Sequence, residues 1–233
     1  MSKESPQEFL ARREQHKYAI NQLDREEVSN SPHRRGFFDA VYERAGDDPA
    51  MVPWADLAAK QTLLGWLQQQ SEHTGRAIDI GCGFGDNAEC LAATGYETIG
   101  FDFSKKAIAW AKQRFPQSAV DYVTADLFDL STDWVGAFDL VHECYTLQSI
   151  PPETLDNSIP AVASLVRPGG LLLVYTRVRE DGEPVDGPPW PLEHSRVTDF
   201  KSNNLELVSR NDFTIDRPDR SINHSFCVWR KPK

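Results

Sequence analysis

Three glycines at alternate positions, Gly81, Gly83 and Gly85, stand between two carboxylates in the run Ala77-Ile-Asp79-Ile-Gly81-Cys82-Gly83-Phe-Gly85-Asp86. Glycine at such a place lets the main chain turn sharply and lets a ligand approach the backbone closely. A dinucleotide fingerprint asks for G-x-G-x-x-G, with a pyrophosphate seated on the N-terminus of the next helix. Here the spacing is G-x-G-x-G, and Asp86 holds the position of the third glycine, where its charge would repel a phosphate. Two further acids follow at similar points, Asp102 in Phe101-Asp102-Phe103 and Asp126 in Thr124-Ala-Asp126-Leu127.

Read together, these acids suit a ligand that is cationic and carries a nucleoside. S-adenosylmethionine has a sulfonium, an ammonium and a ribose but no phosphate. Asp102 is placed to accept both ribose hydroxyls in charge-assisted hydrogen bonds, and Asp126 to accept from the adenine amino group while Leu127 packs on the ring. A nicotinamide dehydrogenase is the rival at the level of fold, disfavoured by Asp79 and Asp86. Methyl transfer from a sulfonium is an in-line displacement that depends on alignment and exclusion of water. A thiol acceptor needs only a modest push toward thiolate, whereas an amine or hydroxyl calls for a base. His142 and Glu143 are the candidates for that role. They are not a metalloprotease motif, since H-E-x-x-H would need histidine where Thr146 stands. The other histidines lack metal-ligand spacing, so no metal is expected. Tyr42, Trp54, Tyr145 and Trp190 are candidate walls of a substrate pocket. Phe37 and Phe38 read as filling of a helix seam, and Arg34 and Arg35 as either surface charges or contacts to an anionic substrate.

These residues need a scaffold with several strand ends side by side, and the pattern supplies one. Ala77–Ile80, Thr98–Phe101, Val120–Thr124, Phe138–His142 and Leu171–Val178 read as strands. Helices are expected over Asp86–Thr94, from the Ser104 cap to Phe115, and over Pro152–Val166, the last stopped by Pro168-Gly169-Gly170. Alternation of this kind predicts βαβ units and a mostly parallel sheet. Leu205–Ser209 and Ser225–Arg230 suit an antiparallel hairpin at the sheet edge. Upstream, residues 1 to about 30, Gly36–Arg44 and Leu57–Gln70 read as helices. The expected fold is α/β and Rossmann-like, with residues 1–70 as an N-terminal helical cap on a core spanning 71–233.

Composition narrows the function. The 233 residues carry 25 Lys+Arg against 35 Asp+Glu, a formal charge of −10. That balance argues against sequence-independent binding to nucleic acid or to anionic membrane. No apolar run approaches the roughly 20 residues that span a bilayer, and the acidic start lacks the apolar core of a secretory signal. The four cysteines form no C-x-x-C pair, so free thiols and a cytoplasmic protein are expected.

From Arg76 to Val178 the sequence resembles the class I S-adenosylmethionine-dependent methyltransferases. The resemblance rests on Asp79–Gly85, Asp102, Asp126-Leu127, Phe138-Asp-Leu-Val141, and Val166-Arg-Pro-Gly-Gly170 leading into a strand. It implies S-adenosylmethionine as cofactor, S-adenosylhomocysteine as product and a small molecule as substrate. It implies that Asp79 and the turn Gly81-Cys82-Gly83-Phe-Gly85 lie along the methionine part. Phe103 and Leu127 would flank adenine, and His142 and Glu143 would sit beside the transferable methyl. Met51-Val-Pro-Trp54, Thr146–Pro152 and Gly187-Pro-Pro-Trp190 also look like the thiopurine and thiol/halide branch, which implies a sulfur, selenium or halide acceptor. The plant thiol/halide enzymes have Asp directly after Pro-Trp, and here Ala55 intervenes before Asp56. N- or O-methylation with His142 as base, and a non-catalytic S-adenosylmethionine-binding module, are the alternatives.

Overall fold

The computed structural model describes residues 4–27, 34–217 and 220–233. Five strands are mutually parallel: β1 (Arg76–Ile80), β2 (Glu97–Asp102), β3 (Asp121–Thr124), β4 (Phe138–Cys144) and β5 (Val166–Arg179). A two-residue strand, β6 (Leu192–Glu193), pairs with the end of β5. The chain then closes with an antiparallel hairpin, β7 (Glu206–Asp216) and β8 (Ser221–Arg230), which β8 joins to β5. Strand order is β3-β2-β1-β4-β5-β8-β7. The fold is therefore α/β with a mostly parallel sheet and an antiparallel edge, as the pattern predicts. Strand order reverses between β1 and β4, which makes their carboxyl ends the crevice where ligands bind in open α/β sheets.

Helices cover both faces. On one lie α3 (Gln61–Leu67) and α4 (Asp86–Ala93), which bury Leu63, Leu67 and Leu91 against Ala77, Leu140 and Leu173, with α5 (Lys105–Arg114) beside them over β3. On the other, α6 (Leu155–Ser164) places Leu155, Ile159 and Val162 on Ile78, Val141, Leu172 and Val174. Alternate residues of β1, β4 and β5 thus feed two separate cores, as both-sided burial of a parallel sheet requires. A short helix α7 (His194–Val197) follows β6. Before the sheet, α1 (Pro6–Glu27) and α2 (Arg35–Ala45) bury Phe9, Ile20, Phe37, Val41 and Tyr42 in a cluster that includes Phe84 and Ala107 of the core.

Three boundaries depart from the pattern. The helix expected over Leu57–Gln70 begins only at Gln61, because Leu57 is left-handed (φ 52°) and the Lys60 N–H is held extended by Asn87 Oδ1 at 3.0 Å. Pro168-Gly169-Gly170, expected as a helix stop, lies inside β5: Gly169 N–H donates to Lys231 O and Lys231 N–H to Gly170 O, so this stretch is sheet-bonded. The hairpin strands run through 11 and 10 residues, beyond the two apolar runs that signalled them. No helix among the described residues is long and apolar enough to cross a membrane.

Candidate active site

The glycine turn is built from backbone. Cys82 N–H donates to Phe101 O at 2.8 Å and Gly85 N–H to Cys82 O at 2.9 Å, folding the chain back onto the end of β2. Gly81 and Gly85 have φ of 61° and 87°, in the left-handed region that disfavours other residues. At Gly81 a Cβ would lie 2.6 Å from Thr146 Oγ1, and at Gly85 2.2 Å from the Tyr122 hydroxyl. That hydroxyl donates to Glu89 Oε1 at 2.7 Å, so α4 and β3 together pin the turn from below. Cys82 is buried among acids, and burial pushes its thiol well above the usual range.

Asp102 closes the turn. Its Oδ2 accepts the Gly83 N–H at 3.1 Å and its Oδ1 the Ser104 N–H at 2.9 Å. Each oxygen keeps a second lone pair for a ligand hydroxyl. Burial raises its pKa to about 6 against the two backbone donors that favour the anion. Glu143 lies one residue from the end of β4, on the other side of β1 from Asp102. Its Oε1 accepts from Thr146 N–H (2.7 Å) and Leu147 N–H (3.0 Å), while Oε2 is buried with no partner. Burial raises this carboxyl to about 7.

His142 is placed otherwise than a base beside the methyl would be. Its ring has no exposed surface, and Nδ1 faces Asp79 Oδ1 at 2.7 Å across the β1–β4 pair. A ring packed between strands holds Asp79; it cannot meet an incoming acceptor in this geometry. His142 Nε2 and Asp79 Oδ2 are, like Glu143 Oε2, buried and without hydrogen-bond partners. Asp86, read as an acid guarding the helix entrance, instead takes both arms of Arg114 at 2.8 Å, so its charge is neutralised.

Helix α2 lies over the far part of the crevice. Phe38 meets Phe103 edge-on at 5.7 Å, and Arg35 is ion-paired with Asp126. Asp126, expected to meet an adenine amino group, also accepts the Phe128 N–H on Oδ1 (3.1 Å). Leu127 is buried in the main core. Tyr42 and Trp54 do come together: the indole N–H donates to the phenol oxygen at 3.0 Å, and the hydroxyl stands 3.6 Å from where a Gly83 Cβ would be. Arg34 extends this aromatic group across the loop after β5, its guanidinium 4.3 Å from the Phe37 ring and 5.3 Å from Trp190. Tyr145 is not part of it. Left-handed at φ 67°, it turns to the α3 face and joins Tyr175, His224 and Lys60. Nothing in the spacing signalled this second group, because its members are scattered from 60 to 224.

A cavity of about 520 Å³ lies beyond Trp190, walled by Pro151, Pro152, Arg179 and Glu183, and includes none of the glycine-turn residues. Among the described residues, no group of three or more His, Cys, Asp or Glu side chains is arranged to hold a metal ion.

The reversed strand order, the glycine turn at the switch point and an acid ending β2 define a nucleoside-binding α/β domain. Residues 77–170 match the family described as a methyltransferase domain, and this is the part of the chain that resembles the class I S-adenosylmethionine-dependent methyltransferases. It is similar to the ubiquinone biosynthesis O-methyltransferase of Aromatoleum aromaticum, 34% identical over 116 residues, which are 48% of this chain and 49% of that one. The chain spans about half the length of this relative. Two solved structures share its fold. One, of the conversion of a disulfide bond into a thioacetal group during echinomycin biosynthesis, has a TM-score of 0.69 at 21% identity and covers 86% of this chain and 94% of its own. The other is a Burkholderia thailandensis 1,6-didemethyltoxoflavin-N1-methyltransferase with 1,6-didemethyltoxoflavin and S-adenosylhomocysteine bound, with a TM-score of 0.64 at 16% identity, covering 88% and 92%.

Proposed function

We propose that the protein transfers the methyl group of S-adenosylmethionine to a small molecule, with a thiol or other soft nucleophile as the favoured acceptor. The observation that carries the cofactor half is the set of buried, unpartnered polar atoms at the turn, Asp79 Oδ2, His142 Nε2 and Glu143 Oε2, beside a buried Asp102. Such atoms are costly to leave unsatisfied, and a ligand ammonium would give the carboxylate oxygens among them a donor. Gly81, exposed and without a side chain, leaves the backbone open to it.

In this reading Glu143 and the turn hold the amino-acid end, Asp102 the ribose, and Phe103 the adenine ring, with α2 closing above. The bound cofactor supplies an electrophilic methyl on a sulfonium whose leaving thioether is neutral. The chain's own share is alignment and dryness. Tyr42, Trp54 and Phe38 exclude water from the crevice, and the end of β4 fixes the line of approach. His142 is committed to Asp79 through Nδ1, and Glu143 is assigned here to the cofactor's amino-acid end, so neither is free to take a proton from the acceptor. That favours a nucleophile that ionises readily, as a thiol does. An oxygen acceptor is the second reading, favoured by the name of the Aromatoleum relative.

Radiolabelled S-adenosylmethionine offered with matched thiols, phenols and amines tests both halves. The thiols are expected to be labelled fastest. Labelling of phenols alone moves the assignment to oxygen, and no labelling of any acceptor rejects methyl transfer.

A further inference from the structure

The group around Tyr145 lies at the same carboxyl edge as the turn but on the α3 face. It includes Arg177, near the end of β5. The Arg177 guanidinium stands 5.6 Å from the Tyr145 ring centre, and Lys60 Nζ stands 4.6 Å from it on the same phenol. Lys60 is tied to the cofactor side, since its N–H donates to Asn87 Oδ1 in the first turn of α4. Its ammonium pairs with Asp56. Arg177 has no such counterion: among the described residues no carboxylate pairs with it, and its Nε is buried with no hydrogen-bond partner. Arg217 and Arg220, at the mouth of the β7–β8 hairpin, add to the positive field around it, in a chain whose net charge is −10.

The polar groups beneath are oriented. His224 Nδ1–H donates to Ile222 O at 2.9 Å, which leaves Nε2 to accept from the Tyr145 hydroxyl at 2.8 Å. His224 is therefore neutral, and burial followed by the nearby cations keeps its pKa low. Tyr145, Tyr175 and Phe213 form an aromatic wall, with Phe213 stacked on the His224 ring at 5.5 Å. A half-buried guanidinium without an anion, against aromatic faces, is a recognition element for a planar carboxylate.

We infer that Arg177, with Lys60 and the Tyr145–Tyr175 wall, is a subsite for a carboxylate carried by the methyl acceptor. This rests on the methyltransferase reading, and it narrows the acceptor class to small organic acids with a flat, unsaturated body. Arg177 grips the carboxylate, Lys60 adds a second charge, and the ring of the acceptor lies toward the end of β4, two residues past Glu143.

Benzoate and its neutral isostere benzamide are the probes, titrated calorimetrically into the full chain with and without S-adenosylhomocysteine. The wild type is expected to bind benzoate at least about tenfold tighter than benzamide. Arg177→Gln should erase that preference while S-adenosylhomocysteine affinity is kept, and Lys60→Gln should reduce it by a smaller factor. Equal binding of the two probes to the wild type overturns the subsite, as does a benzoate preference that survives in Arg177→Gln. The wild-type ratio decides the matter even if the variant does not fold. If S-adenosylhomocysteine itself gives no heat, the methyltransferase reading falls, while the benzoate ratio measured without it still reports on Arg177.

Discussion

The two halves of the sheet's carboxyl edge are built differently. From β1 to β3 the crevice is made of backbone: a turn of positive-φ glycines, N–H groups aimed inward, and one acid per strand end. From β4 to β8 it is made of long side chains on distant elements, with Lys60, Tyr145, Arg177 and His224 meeting from four places in the chain. A backbone cradle tolerates few substitutions and serves one ligand. A side-chain wall can be rewritten residue by residue without disturbing the fold. The difference sets a half fixed by main-chain geometry against a half fixed by individual side chains.

The sharpest way to break the comparison is to remove one acid from the backbone half. Asp102→Ala is expected to weaken S-adenosylhomocysteine binding about 100-fold, on the order of 3 kcal/mol for lost charge-assisted hydrogen bonds. An isothermal titration checks this, and an unchanged Kd would remove Asp102 from the site. Gly85→Ala should come next. The left-handed φ costs about 1–2 kcal/mol in a residue with a Cβ, and that Cβ also meets the Tyr122 hydroxyl at 2.2 Å. Urea denaturation should show a lowered midpoint, with part of the loss recovered when Tyr122→Phe is added. No recovery would mean that the clash with the Tyr122 hydroxyl is not the cause.

The pH dependence is smaller and has a definite sign. Burial is the leading cause that raises Asp102 to about 6 and Glu143 to about 7. Both exceed the unfolded values near 4, so between about pH 4 and 7 the folded state holds protons that the unfolded chain has lost. Stability of the free protein is expected to fall as pH rises through that window. Ligand binding runs the other way, because ribose hydroxyls and an ammonium need the carboxylates ionised. S-adenosylhomocysteine affinity should climb from pH 5 to 8, and Glu143→Gln should flatten the climb near 7. A flat profile in the wild type would contradict this. The smallest effect is expected at the roof: Trp54→Phe loses the bond to the Tyr42 hydroxyl, worth about 1 kcal/mol, and should shift thermal stability slightly without changing which acceptor is used.

The backbone half was legible in the sequence because its signals are local. A strand, alternate glycines and a cap fall within a dozen residues, and Asp102 follows the next strand at a fixed remove. What local spacing cannot report is pairing. Asp86 reads as a free acid until Arg114, 28 residues on, is seen to clamp it. His142 reads as a base until its ring is found buried against Asp79 of the adjoining strand. Tyr145 reads as a wall of the same pocket as Trp54 until it is found in a separate cluster, with Tyr175, His224 and Lys60. The hydrophobic pattern likewise missed the start of β5, because Pro168-Gly169-Gly170 is held as strand by Lys231, just past the end of β8, rather than by its own propensity.

The central claim is that the turn at the β1–β4 switch point receives a cationic nucleoside and not a pyrophosphate. Calorimetric titration of the wild type with S-adenosylhomocysteine and, separately, with NAD tests it most directly. One-to-one binding of S-adenosylhomocysteine with no heat from NAD is the predicted result. Binding of NAD in its place would contradict the account.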